Sequence, residues 1–570
     1  MNIRKIVVVA VSISLLLVPR LSSAMPVPPG LDKCPTLSAC LALLDEVVPA
    51  NDTGEGNNAE TITRDLRRFG EPAKQELLGR AAGSHAGWRN AAGAILRNWG
   101  SWQPSDVPAL RAALQKQHGG WVARPLAEIA TPDAISALAE DLSTLSYTGN
   151  QTGFALTKVG AKAVPFLFPL LQTDQSAYAA ADVIRQIGQA ALPYLPQWKT
   201  LALDDKEPIQ KRIAALRAIA ALESLARNGC EDLRPLLNSP DQSLQHQAEL
   251  TLHDVRDPIL LPKVVSTCEP KADAFDSWAN DARRCLVDIA SYGTDAGKVG
   301  ARLLPFLASR NAVERSYGIV ALGIARYAGA TEAIRHALDD PDWRVVYLAA
   351  RSLGWLGAEQ ALPDLDRISS THWLPEVREM AKRSATAIRS PAGRTEVPLD
   401  WVHLELSSWA VDSSALRDRD ACSSGRWEWE KERFSLARDR SPRHKGNSIL
   451  SFQDGKLVGS NFGEHGGSLS WRPESGESIE IINFNVVAIL RDGEDAVAIL
   501  GLAHMGFDDG YAVSLARRAA GSWTVTRTMQ LLARPEAVAA LKNGRFAVLN
   551  ADRAVVLSSG EGILGLANCE

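Results

Sequence analysis

Between about residues 60 and 390 the apolar positions recur three and four apart, in blocks broken by proline or polar residues, which predicts a run of amphipathic helices. The blocks close on an apolar-Gly or Tyr-Gly step at Val159-Gly160, Ile187-Gly188, Tyr292-Gly293, Leu322-Gly323 and Leu353-Gly354. These glycines are 28, 105, 30 and 31 residues apart. The long interval leaves room for more divergent units, around Arg212 to Ile219 and Leu244 to Leu252. A period near 30 fits two antiparallel helices of about 11 to 12 residues joined by two turns.

The clearest unit runs from Ala333 to Gly357. Ile334 and Leu338 share a face of its first helix, and Asp340-Pro341 ends that helix because proline has no N–H to donate. Asp342 is a good N-cap for the second helix, where Val345, Leu348, Ala349, Ser352, Leu353 and Leu356 form an apolar stripe and Gly357 closes the last turn. Such a hairpin is apolar on both broad faces and is not stable alone. Stacking supplies the core, so the expected architecture is an α-solenoid.

Past Ser390 the period becomes two. Residues 391–398 read as a linker, and Val402 to Leu406, Trp427 to Glu430, Ile479 to Leu490, Trp523 to Thr526 and Phe546 to Leu549 read as strands. Asp454-Gly455, Asp492-Gly493, Asp509-Gly510 and Asn543-Gly544 are tight-turn signals. The fold class expected is therefore multidomain α + β: helical hairpins at 60–390, then an antiparallel all-β domain at 399–570, propeller-like or a sandwich. About ten strands are expected in it by spacing, with one short helix from Pro535 to Lys542.

The first 24 residues are different again. Arg4 and Lys5 precede an apolar run from Ile6 to Val18, and Ser22-Ser23-Ala24 places small residues where a signal peptidase reads. The run is too short to cross ~30 Å of hydrocarbon. The expectation is a signal peptide at 1–24 cut near Ala24, an N-terminal extension at 25–59, no transmembrane span, and a periplasmic or extracellular protein. With 46% hydrophobic and 22% charged residues, the 570-residue chain has ordinary globular composition. Loss of Arg4, Lys5 and Arg20 takes the net charge from −4 to −7, which argues against nucleic acid as a partner.

In an exported chain the default use of cysteine is the disulfide. Cys34 with Cys40 would close a small N-terminal loop, and Cys422 with Cys569 would tie the end of the last domain to its beginning. Among Cys230, Cys268 and Cys285 one must be left over.

The best units resemble the HEAT-like repeats of phycobilisome-lyase-type proteins: Asp-Pro, then Val-Arg, then a small-residue helix ending Leu-Gly. The resemblance runs from about Glu60 to Ser390 and is clearest from Ala301 to Ile388. The family's arginine falls at Arg378, Arg212 and Arg315, and in the Ala333 unit Val346 takes its place with Arg344 two residues earlier. These arginines are read as inter-repeat ion pairs or caps. What the resemblance implies is a surface that binds another macromolecule. It does not imply di-iron hydroxylation, because the chain has no His-Glu dipeptide, nor bilin attachment in an exported protein.

Catalytic strings give little. Gly560-Glu-Gly-Ile-Leu-Gly565 spells the dinucleotide fingerprint but has no room for the helix that holds the pyrophosphate. No catalytic residue, cofactor or metal is assigned. Two candidate ligand sites remain. One is Glu464 and His465 in a glycine-rich stretch, together with His504, Asp508 and Asp509. The other is Trp427 and Trp429, which a strand places on one face as an aromatic platform. The reading preferred is an exported protein-interaction scaffold. Its alternatives are a secreted hydrolase-like enzyme with its site near Glu464 and His465, and a carbohydrate or cell-envelope binding module.

Overall fold

The computed structural model describes residues 27–48, 58–117, 120–144, 151–227, 229–270, 281–390, 427–430, 433–436, 448–504, 507–518, 522–542, 544–550 and 553–569. The leader, the 391–398 linker, the strand expected at 402–406 and Cys422 lie outside these residues. The chain forms two compact units, residues 1–257 and 258–570.

In the first unit helical hairpins follow one another. Their second helices, Ala59–Leu66, Ala86–Arg97, Ala123–Ile129, Gln151–Val159, Asp174–Ile187, Ile209–Ala220 and Gln242–Asp254, each pack on the next. Gly160 and Gly188 end helices with φ of +71° and +58°, a conformation that costs other residues energy. The run 151–172 has the length and apolar composition of a membrane span. It nevertheless breaks at Gly160 and continues as a second short helical segment whose Val164, Leu167 and Leu171 are buried in the protein. Near the N-terminal end Lys74 and Asp106 form a fully buried ion pair at 2.9 Å, with Glu71 also on the ammonium. Burial works against the Lys74 charge, but Glu71 and Asp106 outweigh it and hold its pKa above the ordinary lysine value.

Cys34 and Cys40 are joined in this unit, and Cys268 and Cys285 in the other. Cys230 is the leftover thiol, buried, with burial pushing its pKa up to about 12. The side chain of Cys569 is outside the description.

The second unit opens with four more hairpins, whose second helices are Asp281–Ser291, Ala312–Ile324, Trp343–Leu356 and Pro375–Arg389. Asp342 caps the third by accepting from the Arg344 N–H at 2.9 Å, and Gly357 ends it at φ +65°. Two glycines expected to end helices do something else. Gly323 and Gly354 lie inside their helices, where an added Cβ would come within 2.5 Å of Ser352 Oγ and 2.9 Å of Ser384 Oγ. Each lets one second helix approach the serine of the next, so the recurring glycine marks helix contact here and helix termination only at Gly160, Gly188 and Gly293.

Fourteen strands follow among the described residues, more than the ten expected. β1 (Trp427–Glu430) and β2 (Arg433–Leu436) join a late sheet. β3 (Ser448–Phe452), β4 (Gly455–Gly459), β5 (Leu469–Pro473) and β6 (Ile479–Ile482) form one four-stranded sheet. β7 (Val486–Asp492), β8 (Asp495–His504), β9 (Phe507–Arg517) and β10 (Trp523–Gln530) form another. The third sheet has the order β1-β2-β14-β13-β12-β11, with β11 (Pro535–Ala540), β12 (Arg545–Asn550), β13 (Ala554–Ser558) and β14 (Gly562–Cys569). Neighbours pair antiparallel, except that β14 runs parallel to β2.

Three expectations change. Pro535 to Ala540 is a strand and not a helix: β12 supplies backbone partners, and proline fits the first residue of a strand at the end of a sheet. The apolar run Ile479 to Leu490 is two strands, broken at residues 483–485. Asp509-Gly510 is no turn but lies within β9, paired with Leu502 and Gly501 of β8, and the glycine is there because a Cβ would collide with the Ala533 carbonyl.

The β strands and the last hairpins share one core. Trp343, Leu348 and Val345 belong to the same buried apolar cluster as Met529, Leu531, Phe546, Val548 and Val555. Trp343 is 2% exposed, and its Nε1–H donates to the Gln530 carbonyl at 3.0 Å. Asp342 Oδ2 accepts from the Gln530 N–H at 3.3 Å, and Arg553 pairs with Glu376 at 2.8 Å.

Two outcomes are expected. Trp343→Phe leaves the buried Gln530 carbonyl without its donor and should lower unfolding free energy by about 1–3 kcal/mol, while Trp343→Ala should cost about 3–5, both measured by denaturant titration. The Asp342 carboxyl is pushed above its ordinary pKa of 3.8 by burial and by Asp340, with Arg344 and Arg315 pulling the other way. A group with a raised folded pKa stabilises the fold below its unfolded pKa and loses that contribution as pH rises. The stability of wild type relative to Asp342→Asn should therefore fall as pH rises above the ordinary carboxyl pKa of 3.8; a pH-independent difference contradicts this.

Candidate functional site

The glycine-rich stretch is a single turn between β4 and β5. Gly463 and Gly466 take φ of +67° and +87°, and Gly467 lies so close to the Ser460 carbonyl that a side chain there would collide with it. The glycines thus bring the backbone close to its own chain. Asn485, 2% exposed, holds the turn: its Nδ2 donates to the Gly463 carbonyl at 2.7 Å and its Oδ1 accepts from the Phe462 N–H at 3.3 Å. Its own carbonyl accepts the Gly501 N–H at 3.0 Å, which fixes the turn against β8.

The turn leaves Glu464 and His465 outside. Their side chains are 50% and 81% exposed, with His465 Nε2 and Glu464 Oε1 at 3.8 Å. An exposed contact of this kind contributes little. β8 ends at His504, opposite Phe507, and Asp508 and Asp509 sit in β9 opposite Ala503 and Leu502. The sequence-predicted group is thereby carried by the turn and the adjoining β8–β9 hairpin. Asn485, which joins the two at Gly501, was missed; its signal was two asparagines interrupting the apolar run from Ile479. β1 pairs Trp427 with Leu436 and Trp429 with Phe434 in the backbone register. Among the described residues no group of three or more His, Cys, Asp or Glu side chains is arranged to hold a metal ion. Gly562 to Gly565, the end of the fingerprint string, is part of strand β14.

The repeat arginines have local partners. Arg315 makes a two-pronged contact with Asp340 of the next hairpin at 2.7 and 2.9 Å and also donates to the Ser309 carbonyl. Arg212 donates to the Ala202 carbonyl at 2.9 Å, and Arg378 to those of His372 and Trp373 at 2.6 and 3.3 Å. Arg344 is buried, its guanidinium 5.3 Å from the Trp343 ring centre.

Two open grooves lie in the first unit, both on the row of second helices. One, of about 390 Å³, is bounded by the helices Asp174–Ile187, Ile209–Ala220 and Gln242–Asp254 and includes Tyr178, Arg185, Arg217 and Glu223. Tyr178 is 73% exposed there. The other, of about 400 Å³, is bounded by Ala59–Leu66, Ala86–Arg97 and Ala123–Ile129.

Within these stacked hairpins, residues 300–386 match the HEAT-repeat family model. No curated protein matches the chain. Among solved structures, Kap121p overlaps 66% of this chain and 48% of its own at 12% identity and a TM-score of 0.30. Kap121p bound to Ste12p overlaps 67% and 46% at 13% identity and a TM-score of 0.28, and an engineered protein 50% and 97% at 19% and 0.18. The chain spans about half the length of the Kap121p structures.

Because the turn is held by Asn485 and not by its exposed residues, Glu464→Ala and His465→Ala should each change unfolding free energy by no more than about 0.5 kcal/mol. Asn485→Ala, which removes two hydrogen bonds from the turn although its Phe462 N–H and Gly463 carbonyl keep their backbone bonds to Gly466, should cost about 1–3 kcal/mol. Equal effects at all three positions in thermal or denaturant unfolding would contradict this assignment.

Proposed function

We propose that this protein is an exported interaction scaffold. Its helical repeats present their second-helix row to a protein partner, and its β region docks on that assembly or takes a second partner. Export rests on the order basic, apolar, small at Met1 to Ala24. The observation that carries the interaction reading is the Tyr178 groove. Three successive second helices leave a large aromatic side chain open to solvent beside Arg185, Arg217 and Glu223. Exposed tyrosine flanked by arginine is the composition of binding hot spots, where a rigid amphipathic ring gains much on burial at little entropic cost.

The β region is read as propeller-like on the strength of its consecutive four-stranded meanders. The exposed setting of Glu464 and His465 supports binding over catalysis there, since neither side chain is removed from water.

The test is capture from the native host. The tagged chain, recovered outside the cytoplasm with its N-terminus read by sequencing, should begin near residue 25 and bring down a reproducible partner identified by mass spectrometry. Tyr178→Ala and Arg185→Glu should each reduce that capture at least tenfold with helical circular dichroism unchanged. Retention of every partner by both variants overturns the reading.

A further inference from the structure

The groove near the N-terminal end of the helical row differs from the Tyr178 groove in charge. It is bounded by four arginines, Arg64, Arg67, Arg97 and Arg124, against two acids, Glu60 and Glu128. Glu128 is engaged by Arg124 at 3.0 Å and by Lys158 at 3.5 Å, and Arg64 reaches the neighbouring Asp65 at 3.5 Å. Arg67 and Arg97 have no carboxylate partner among the described residues.

Both are held in place by other means. Arg67 donates to the Asn98 carbonyl, and Gly100, at φ +81°, leaves the space its guanidinium occupies; a Cβ there would stand 2.9 Å from Arg67 Nη2. The Arg97 guanidinium lies 4.6 Å from the Trp121 ring centre, and its Nε is buried with no hydrogen-bond partner among the described residues. A planar guanidinium fork matches a carboxylate with two parallel bonds, and stacking on an indole ring orients it without neutralising it.

We propose that this groove binds an acidic stretch of a polypeptide partner, with Arg67 and Arg97 as the two forks that take its carboxylates. The inference rests on the interaction reading and names the chemistry of one partner segment. An extended peptide fits the observations because the arginines are spread along three consecutive helices, so successive acidic side chains can each meet one. Net positive charge in the groove of a chain that is net negative also makes it a local attractor for such a segment.

The experiment uses the chain lacking residues 1–24 and a fluorescein-labelled dodecapeptide of alternating Glu and Ser, read by anisotropy. A Lys/Ser peptide and inorganic phosphate serve as comparison probes. The acidic peptide should bind, with affinity falling as salt rises, and the basic one should not. Arg67→Gln/Arg97→Gln should weaken binding at least tenfold and flatten the salt dependence. Arg67→Lys/Arg97→Lys, which keeps both charges and guards against misfolding, should fall between that variant and wild type. Equal binding of the basic peptide, or binding by the Gln pair within twofold of wild type, overturns the proposal. Displacement of the peptide by phosphate at matched charge also overturns it, in favour of a small-anion site. Partner capture is scored on Tyr178 and peptide binding on Arg67 and Arg97, so failure of one is distinguishable from failure of the other.

Discussion

The second unit depends on how one turn of the helical array meets one strand. β10 is the end strand of its sheet, and an end strand presents backbone N–H and C=O groups with no strand to receive them. At Gln530 both are taken by the Ala333–Gly357 hairpin: the N–H by the Asp342 carboxylate, the C=O by the Trp343 indole. The same carboxylate caps the following helix through the Arg344 N–H. Its position is set in turn by Asp340, which accepts the Asp342 N–H at 2.9 Å while gripped by Arg315 of the preceding hairpin. An inter-repeat ion pair, a helix cap and the closure of a sheet end are therefore one connected network. Trp343 fills the space beneath it.

From this join the core propagates by strand alternation. On β8, Val497 and Ile499 belong to the cluster that includes the helical repeats, while Ala496, Ala498 and Leu500 belong to the cluster shared with β4 and β5. On β12 the same division sets Phe546 and Val548 against Ala547 and Leu549. Sheets buried on both faces cannot show a polar face, which explains the nearly continuous apolar runs at 496–500 and 546–549. A one-residue slip in β8 would move each set into the wrong cluster, so the register is fixed from two sides.

This division also shows which features were legible in the sequence. The helical stripe, the Asp342 cap and the Gly357 stop are local: each is decided within a few residues by spacing, side-chain oxygen or backbone freedom. The hairpin turns at Asp454-Gly455 and Asp492-Gly493 are local for the same reason. Gly323, Gly354 and Gly510 were not legible, because what they meet is a serine about 30 residues on, or a carbonyl at Ala533. Pro535 to Ala540 has helix-favouring composition and becomes a strand only because β12 lies beside it. Asn485 acts through partners at Gly463 and Gly501, contacts that no single stretch of sequence contains.

The arginines carry the same contrast toward function. Read along the chain they look alike, one recurring cation per repeat. In three dimensions Arg315 is neutralised by Asp340, and Arg212 and Arg378 donate to backbone carbonyls near the ends of the preceding helices. Arg315 thus joins two hairpins, while Arg212, buried, and Arg378 brace their own. Arg97 is oriented by a flat ring, which holds it without cancelling its charge, and Arg67 by a carbonyl that leaves most of its donors unspent. A solenoid built from one repeated packing rule acquires a specific surface where that rule lapses. Here the lapse falls in the first repeats, where Arg97 lies over the Trp121 ring and neither it nor Arg67 meets a carboxylate among the described residues.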